Sequence, residues 1–179
     1  VNAADKTEIF QSTDNNTKNH WADIIQKSLI ILNLGIHNFR LKNANKSSNS
    51  NSFLALSLDM PAKKKISPKL SLIQNFKKNE LSATEFDLSF DIKKQFNSLI
   101  YYLGLTTGIT QVNYKTFDKL TGLYGLETGL KFNFSTDFFF DLNGAFKKST
   151  QKIELIENNK YINIDAGGYY FSAGLGYNL

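Results

Sequence analysis

The length, composition and charge of the chain exclude several classes of protein. The chain has 179 residues, of which 41% are hydrophobic and 21% charged, and its formal net charge is +5. This length suits one domain. Because cysteine is absent, disulfide frameworks, thiolate metal sites and cysteine nucleophiles are excluded. No run of 18 or more apolar residues occurs, which argues against a transmembrane helix.

Residues 1–27 are polar and rich in Asp, Asn and Thr, which predicts an amino-terminal tail with a short helix near residues 21–25. The chain begins with Val1 rather than Met, so we expect export with a cleaved signal peptide. From residue 28 onward the pattern changes to a period of two, which predicts that residues 28–179 form one β domain.

Eight segments alternate apolar residues with polar or small ones, as β-strands do when their two faces meet different surroundings. The fourth is the clearest, because Phe86 and Phe90 alternate with Asp87 and Asp91. In the first segment the alternation slips its phase, which predicts a β-bulge near residues 37–38. The apolar rows lie within residues 30–41, 54–60, 70–76, 86–92, 99–109, 124–134, 138–146 and 171–179.

The composition of the two faces indicates which one points inward. One face carries Phe, Leu and Ile, whereas the other carries Asp, Glu, Lys, Ser, Asn and Gly. The second face would make a poor dry core but a good polar lumen, and its small residues suit a narrow barrel. Longer polar connections are predicted at residues 42–52, 77–83, 112–119 and 148–160, with tighter ones at 61–67, 93–97 and 135–137. We interpret the longer set as outer loops and the tighter set as periplasmic turns.

The last strand ends in the alternating row Phe171, Ala173, Leu175, Tyr177 and Leu179. This row resembles the carboxyl-terminal signal that the barrel-assembly machinery recognises, although that signal usually ends in Phe. Over residues 28–179 the chain resembles the small barrel group that includes the OmpA transmembrane domain and OmpX. The resemblance implies an all-β, eight-stranded, antiparallel up-and-down transmembrane barrel in the bacterial outer membrane. Its expected partners are the lipid bilayer, lipopolysaccharide or another outer-leaflet lipid, and the barrel-assembly machinery, and we expect a monomer.

Charged residues on the inward face predict a paired network inside the barrel, because an unpaired charge in a narrow interior is costly. The predicted lumen charge network comprises Arg40, Asp59, Lys69, Asp87, Asp91, Glu127, Lys131 and Asp141, with Lys147 beside them. The network can be structural and plug the barrel. The alternative is a narrow pore for ions or small solutes, in which a carboxylate exchanges partners.

Lysines in the predicted outer loops form the second candidate site. They are Lys42, Lys46, Lys77, Lys78, Lys115, Lys119, Lys148 and Lys152. Their positive charge predicts attraction to lipopolysaccharide phosphates, glycosaminoglycans or acidic host proteins. Our leading hypothesis is therefore a surface-exposed interaction or adhesion module, whereas the plainer alternative is a solvated rim. Dispersed lysines with a single arginine argue against nucleic-acid binding.

Two further alternatives remain open from the sequence. A lipid-modifying enzyme would need a base, and only His20 and His37 are available, with no Ser–His pair that can be placed across strands. We therefore predict no catalytic residue, no metal site and no cofactor. A soluble, lipocalin-like barrel would reverse the faces and put Phe86, Phe90, Phe132 and Phe140 inside. Interfacial aromatic residues are predicted at Trp21, Tyr101, Tyr124, Tyr161, Tyr169 and Tyr177.

Overall fold

The structure is a computed structural model, and it describes residues 27–42, 49–61, 66–78, 80–157 and 160–179. For residues 39–42, 49, 77–78, 157 and 160–161 only the backbone is described. The predicted tail, including Trp21 and the helix near residues 21–25, lies outside the described residues, as does Lys46. No helix long and apolar enough to cross a membrane occurs in the described part of the chain.

The described residues form nine strands that make one closed sheet. The strands are β1 (Leu29–Lys42), β2 (Asn49–Asp59), β3 (Ile66–Lys78), β4 (Leu81–Phe96), β5 (Leu99–Tyr114), β6 (Phe117–Asn133), β7 (Phe138–Ser149), β8 (Ile153–Glu157) and β9 (Lys160–Asn178). Consecutive strands from β1 to β7 pair antiparallel with one another. The strand β9 pairs with both β7 and β1 and so closes an eight-stranded barrel. The ninth strand, β8, pairs with the first residues of β9 only.

The polar face of the strands points into the barrel and the apolar face points outward, as predicted. Along β4, Asp87 and Asp91 are buried inside, whereas Phe86 is 48% and Phe90 47% exposed on the outside. Phe132 and Phe140 are exposed as well, so the reversed, lipocalin-like arrangement is wrong. Large apolar side chains encircle the outer wall, and we call this surface the apolar belt.

Within the described residues, the segments predicted as outer loops are mostly strand. Residues 77–78 belong to β3 and residues 81–83 to β4, and residues 112–119 hold only a tight turn at 115–116. Glu80 and Lys115 have φ angles of 65° and 54°, which suit such turns. Residues 148–160, expected to be a loop, contain β8. The prediction failed because the strands continue past the apolar belt, where many outward side chains are polar and resemble loop residues in a sequence.

The predicted bulge near His37 and Asn38 lies elsewhere in the pairing. The register of β1 against β9 shifts between Phe39 and Arg40, whose partners are Gly168 and Asp165. The additional residues therefore belong to β9 rather than to β1. The shift marks the level at which the β8–β9 hairpin leaves the regular barrel.

The two ends of the barrel differ in what fills them. We call the end where β1 begins and β9 finishes the terminal end, and the opposite end, which carries Glu80 and the turn at 115–116, the far end. Inside the far end an apolar cluster, which we call the far-end cap, joins inward side chains of β4, β5, β6, β8 and β9. Its members are Leu81, Ala83, Val112, Leu123, Ile153, Leu155, Ile162, Ile164 and Ala166, each at most 7% exposed. Between the cap and the terminal end the interior is mainly polar, with a smaller buried apolar cluster of Phe53, Ala55, Ile73, Ala145 and Tyr170.

Candidate functional site

Glycines on neighbouring strands make room for the inward carboxylates. Asp87 pairs across the sheet with Gly108, and Asp91 pairs with Gly104. A Cβ atom on either glycine would overlap the carboxylate oxygen of its partner. The small residues of the inward face are thus what allows charged side chains to pack inside so narrow a barrel.

The interior charges form three clusters, the first of which lies at the terminal end. Asp59 pairs with two ammonium groups, those of Lys93 and Lys131. The Nζ atom of Lys93 lies 2.6 Å from each carboxylate oxygen, and the Ser67 hydroxyl donates to Asp59 at 2.8 Å. The side chain of Lys93 is 18% exposed, so this cluster reaches water at the terminal mouth. Lys93 falls within the predicted turn at residues 93–97, so its role as a partner of Asp59 was not predicted.

The second cluster fills the middle of the lumen. The ammonium group of Lys69 lies 2.8 Å from Glu127 and 3.7 Å from Asp91, above the ring of Tyr102 at 5.0 Å. Asp141 lies beside this cluster and is held by neutral donors. It accepts hydrogen bonds from the Asn33 amide at 3.0 Å and from the Tyr102 hydroxyl at 3.2 Å.

The third cluster lies below the far-end cap. Lys147 pairs with both Glu85 and Asp87 and lies 4.3 Å from the centre of the Tyr170 ring. The Tyr170 hydroxyl donates to Glu85 at 2.9 Å. His37 stacks on the same ring with 3.7 Å between centroids. Glu85 and Tyr170 were not predicted as part of the network, although each stands at an inward-facing position of its strand.

The structure brings together most of the residues predicted to line the lumen. Those it places inside, mutually packed, are Asp59, Lys69, Asp87, Asp91, Glu127, Lys131, Asp141 and Lys147. Arg40 lies on β1 opposite Asp165 of β9, and its place in the network stays a prediction because its side chain is not described. Among the described interior side chains, six carboxylates face four ammonium groups. The clusters join side chains of strands that are not neighbours in the sheet, so the network links opposite walls of the barrel.

A small cavity lies between two of the charged clusters. This cavity of about 30 Å³ lies between the second and third clusters and is bordered by Asn33, Ser57 and Asn143. A water molecule needs roughly 10–15 Å³ by this measure, so the cavity has room for about two waters. The far-end cap lies between this cavity and the far mouth. The charged clusters and the far-end cap therefore occupy most of the described interior.

The predicted outer-loop lysines that the structure describes lie at the far end, but most are not in loops. Lys119 is on β6 and Lys148 on β7, whereas Lys115 is in a turn and Lys152 joins β7 to β8. All four are exposed, and Lys115 lies 3.4 Å from Glu80. Lys42, Lys77 and Lys78 are on strands as well, at positions where only the backbone is described. The prediction that these lysines lie in loops was wrong, because the strands extend beyond the apolar belt.

Aromatic side chains lie near both edges of the apolar belt. At its far edge Phe146 and Tyr169 have ring centroids 4.9 Å apart, and at its terminal edge Phe138 and Tyr177 are 5.2 Å apart. These rings are the side chains expected where a membrane meets water.

The described residues offer little for catalysis. His37 is fully buried in the lumen, where its Nδ1 atom lies 3.1 Å from the Asn75 amide oxygen, so it cannot reach a lipid on the outer wall. Within the described ranges no group of three or more His, Cys, Asp or Glu side chains is placed to hold a metal ion.

A closed eight-stranded barrel with an apolar exterior and a charged interior is the architecture of the small outer-membrane barrels. No protein-family model and no curated protein matches the sequence. Solved structures do match. Neisserial surface protein A (NspA) has a TM-score of 0.61 at 12% identity, covering 84% of this chain and 97% of that one. The outer-membrane protein OprG of Pseudomonas aeruginosa also has a TM-score of 0.61 at 12% identity, covering 86% and 98%.

The amino-terminal barrel domain of Pseudomonas aeruginosa OprF has a TM-score of 0.55 at 15% identity, covering 86% of this chain and 98% of that one. At such identities the likeness concerns the fold alone. The chain has the fold of the small eight-stranded outer-membrane barrels, as the resemblance implied, and no enzyme family is indicated among these neighbours.

Proposed function

We propose that this protein spans a bacterial outer membrane as a closed anchor and uses its far end to bind polyanions outside the cell. The observation that carries the proposal is the filled lumen. Because charged clusters and the far-end cap occupy the interior, the surface left for a ligand outside the membrane is the exposed rim of the far end.

The apolar belt supports the placement in a membrane. Leu105 and Leu126 are 65% and 54% exposed, and neighbouring strands carry comparable side chains at the same level. Monomeric soluble proteins rarely expose continuous apolar surface on this scale. Closure of the barrel also leaves no unpaired strand edge within the belt, which hydrocarbon requires.

Exposed lysines at the far end support the polyanion. Lys148 and Lys152 border a common cavity of about 200 Å³ just beyond the Phe146–Tyr169 pair, with Asp165 on its rim. Sulfate and phosphate groups are attracted to such paired ammonium groups at the edge of a membrane. The same chemistry fits a sulfated glycan outside the cell and the phosphates of an outer-leaflet glycolipid.

A charge-reversal variant tests this function. We expect Lys148→Glu combined with Lys152→Glu to weaken binding of heparin by about tenfold, which corresponds to about 1.4 kcal/mol. The reason is that two attractive charges become two repulsive ones while the fold stays intact, since both side chains are exposed. The measurement is fluorescence titration of labelled heparin with the protein in a zwitterionic detergent, at two salt concentrations.

The matched control reverses two exposed lysines at the terminal end, Lys27→Glu with Lys94→Glu, and so makes the same change in net charge. This variant should keep the heparin affinity of the parent. Equal losses in both variants would mean that net charge alone attracts the polymer, and the proposal would be wrong. Repeating the titration with vesicles that contain lipopolysaccharide distinguishes the glycan from the glycolipid as the anionic source.

The two alternative functions find less support. A pore would need a continuous path, whereas the cavity in the lumen holds about two waters and lies beneath the cap. A lipid-modifying enzyme would need its base on the outer wall, whereas His37 is inside.

A further inference from the structure

The apolar belt is interrupted by a groove on the outer wall. This groove, of about 670 Å³, crosses β5, β6, β7, β9 and β1 near the middle of the belt. Its floor is made by three small residues, Thr128, Gly144 and Ala173, and its walls include Leu34 and Phe171. Thr128 and Gly144 are direct partners across β6 and β7, so the floor continues from strand to strand.

The backbone does not require glycine at position 144. A Cβ atom added there would lie 3.6 Å from the nearest atom, on the ring of Phe171, which is an ordinary contact. At Gly104 and Gly108, by contrast, an added Cβ would overlap a carboxylate. The effect of Gly144 is thus to deepen the groove rather than to permit a turn or a close approach of strands.

The Thr128 hydroxyl on the floor of the groove is already hydrogen-bonded within the protein. The Thr128 hydroxyl lies 3.1 Å from the Tyr101 hydroxyl and 3.0 Å from the carbonyl oxygen of Tyr102, to which it donates. A ligand in this groove therefore meets mainly apolar surface. Such a surface fits a hydrocarbon chain better than a polar headgroup.

We propose that the groove around Gly144 is a binding site for one acyl chain of a membrane lipid. This inference rests on the membrane placement in the proposed function, but it does not depend on the polyanion. The groove is continuous with the apolar belt, so bilayer hydrocarbon is the material next to it. A chain lying in the groove gains dispersion contacts on its floor and both walls, which a flat part of the belt cannot provide.

The experiment is native mass spectrometry of the folded protein, released from detergent with phosphatidylethanolamine that carries palmitoyl and oleoyl chains. We expect the parent to retain one lipid and Gly144→Leu, which fills the floor of the groove, to lose it. Ala173→Leu provides a second filling variant at an exposed position and should lose the lipid too. Phosphatidylglycerol with the same chains should be retained equally, because the site binds the chain rather than the headgroup.

Thr107→Leu is the matched control, because Thr107 is also an exposed small residue of the belt but lies outside the groove. This variant should retain one lipid, as the parent does. Equal retention by the parent and the filling variants would overturn the site, as would a parent that retains none. If the parent forms a dimer that Gly144→Leu abolishes, the lipid site is also overturned, and the groove is then the contact with a second copy of the chain. Heat-modifiable gel mobility in vesicles, measured for all variants, shows separately whether membrane insertion itself has failed.

Discussion

Replacing Lys147 with methionine is expected to lower the free energy of unfolding by about 3–5 kcal/mol. Lys147 is the ammonium partner of both Glu85 and Asp87, and all three side chains are at most 4% exposed. Methionine keeps much of the packing volume but leaves two buried carboxylates without a positive partner. Urea titration of the protein in phospholipid vesicles, followed by far-ultraviolet circular dichroism and gel mobility, measures the change.

Two further variants separate lost pairing from lost packing. Lys94→Met removes an exposed lysine and should change stability by at most a few tenths of a kcal/mol. Adding Glu85→Gln and Asp87→Asn to Lys147→Met should recover most of the loss, because no unpaired charge then remains. If Lys147→Met were as stable as the parent, the third cluster would not be the buried ion pair that the structure describes.

The second large effect is expected on the outer wall, where Leu105→Lys should cost about 2–4 kcal/mol. Leu105 is 65% exposed and lies midway along the apolar belt on β5. On a soluble barrel a lysine at such an exposed position would change stability little. Within a membrane the ammonium group would have to enter hydrocarbon or pull water inward, so the barrel should be destabilised in vesicles.

Leu120 provides the control for this prediction, because it is 66% exposed but lies beyond the belt, opposite Gln111. Leu120→Lys should cost no more than about 1 kcal/mol. A similar small cost for both lysines would show that Leu105 faces water, and the membrane placement would then be wrong.

The strand alternation separated the two faces, and the composition of those faces predicted which one is inside the barrel. Phe86 and Phe90 point outward and Asp87 and Asp91 inward, because a period of two separates the side chains of any strand whose faces meet different surroundings. The same parity, continued beyond Ile92, would also have found Lys93. It was missed because a run of polar residues after an apolar strand resembles a turn.

Other features could not be predicted from the sequence. The pairing of Lys131 with Asp59 joins residues 72 positions apart, and it depends on the shear of the closed barrel rather than on any local pattern. The far-end cap was missed because Ile153 and Leu155 belong to the segment 148–160, which was interpreted as a loop. The sequence therefore did not predict that the lumen changes from charged to apolar along the length of the barrel.

The filled lumen is tested most directly by the current through a planar bilayer that contains the refolded protein. Insertion is first verified by protease protection and heat-modifiable gel mobility, so that a missing current cannot come from missing protein. The structure predicts no discrete conductance steps, because the charged clusters and the far-end cap occupy the interior. Steady steps that Glu127→Ala alters would show an open path through the lumen and would contradict the closed anchor.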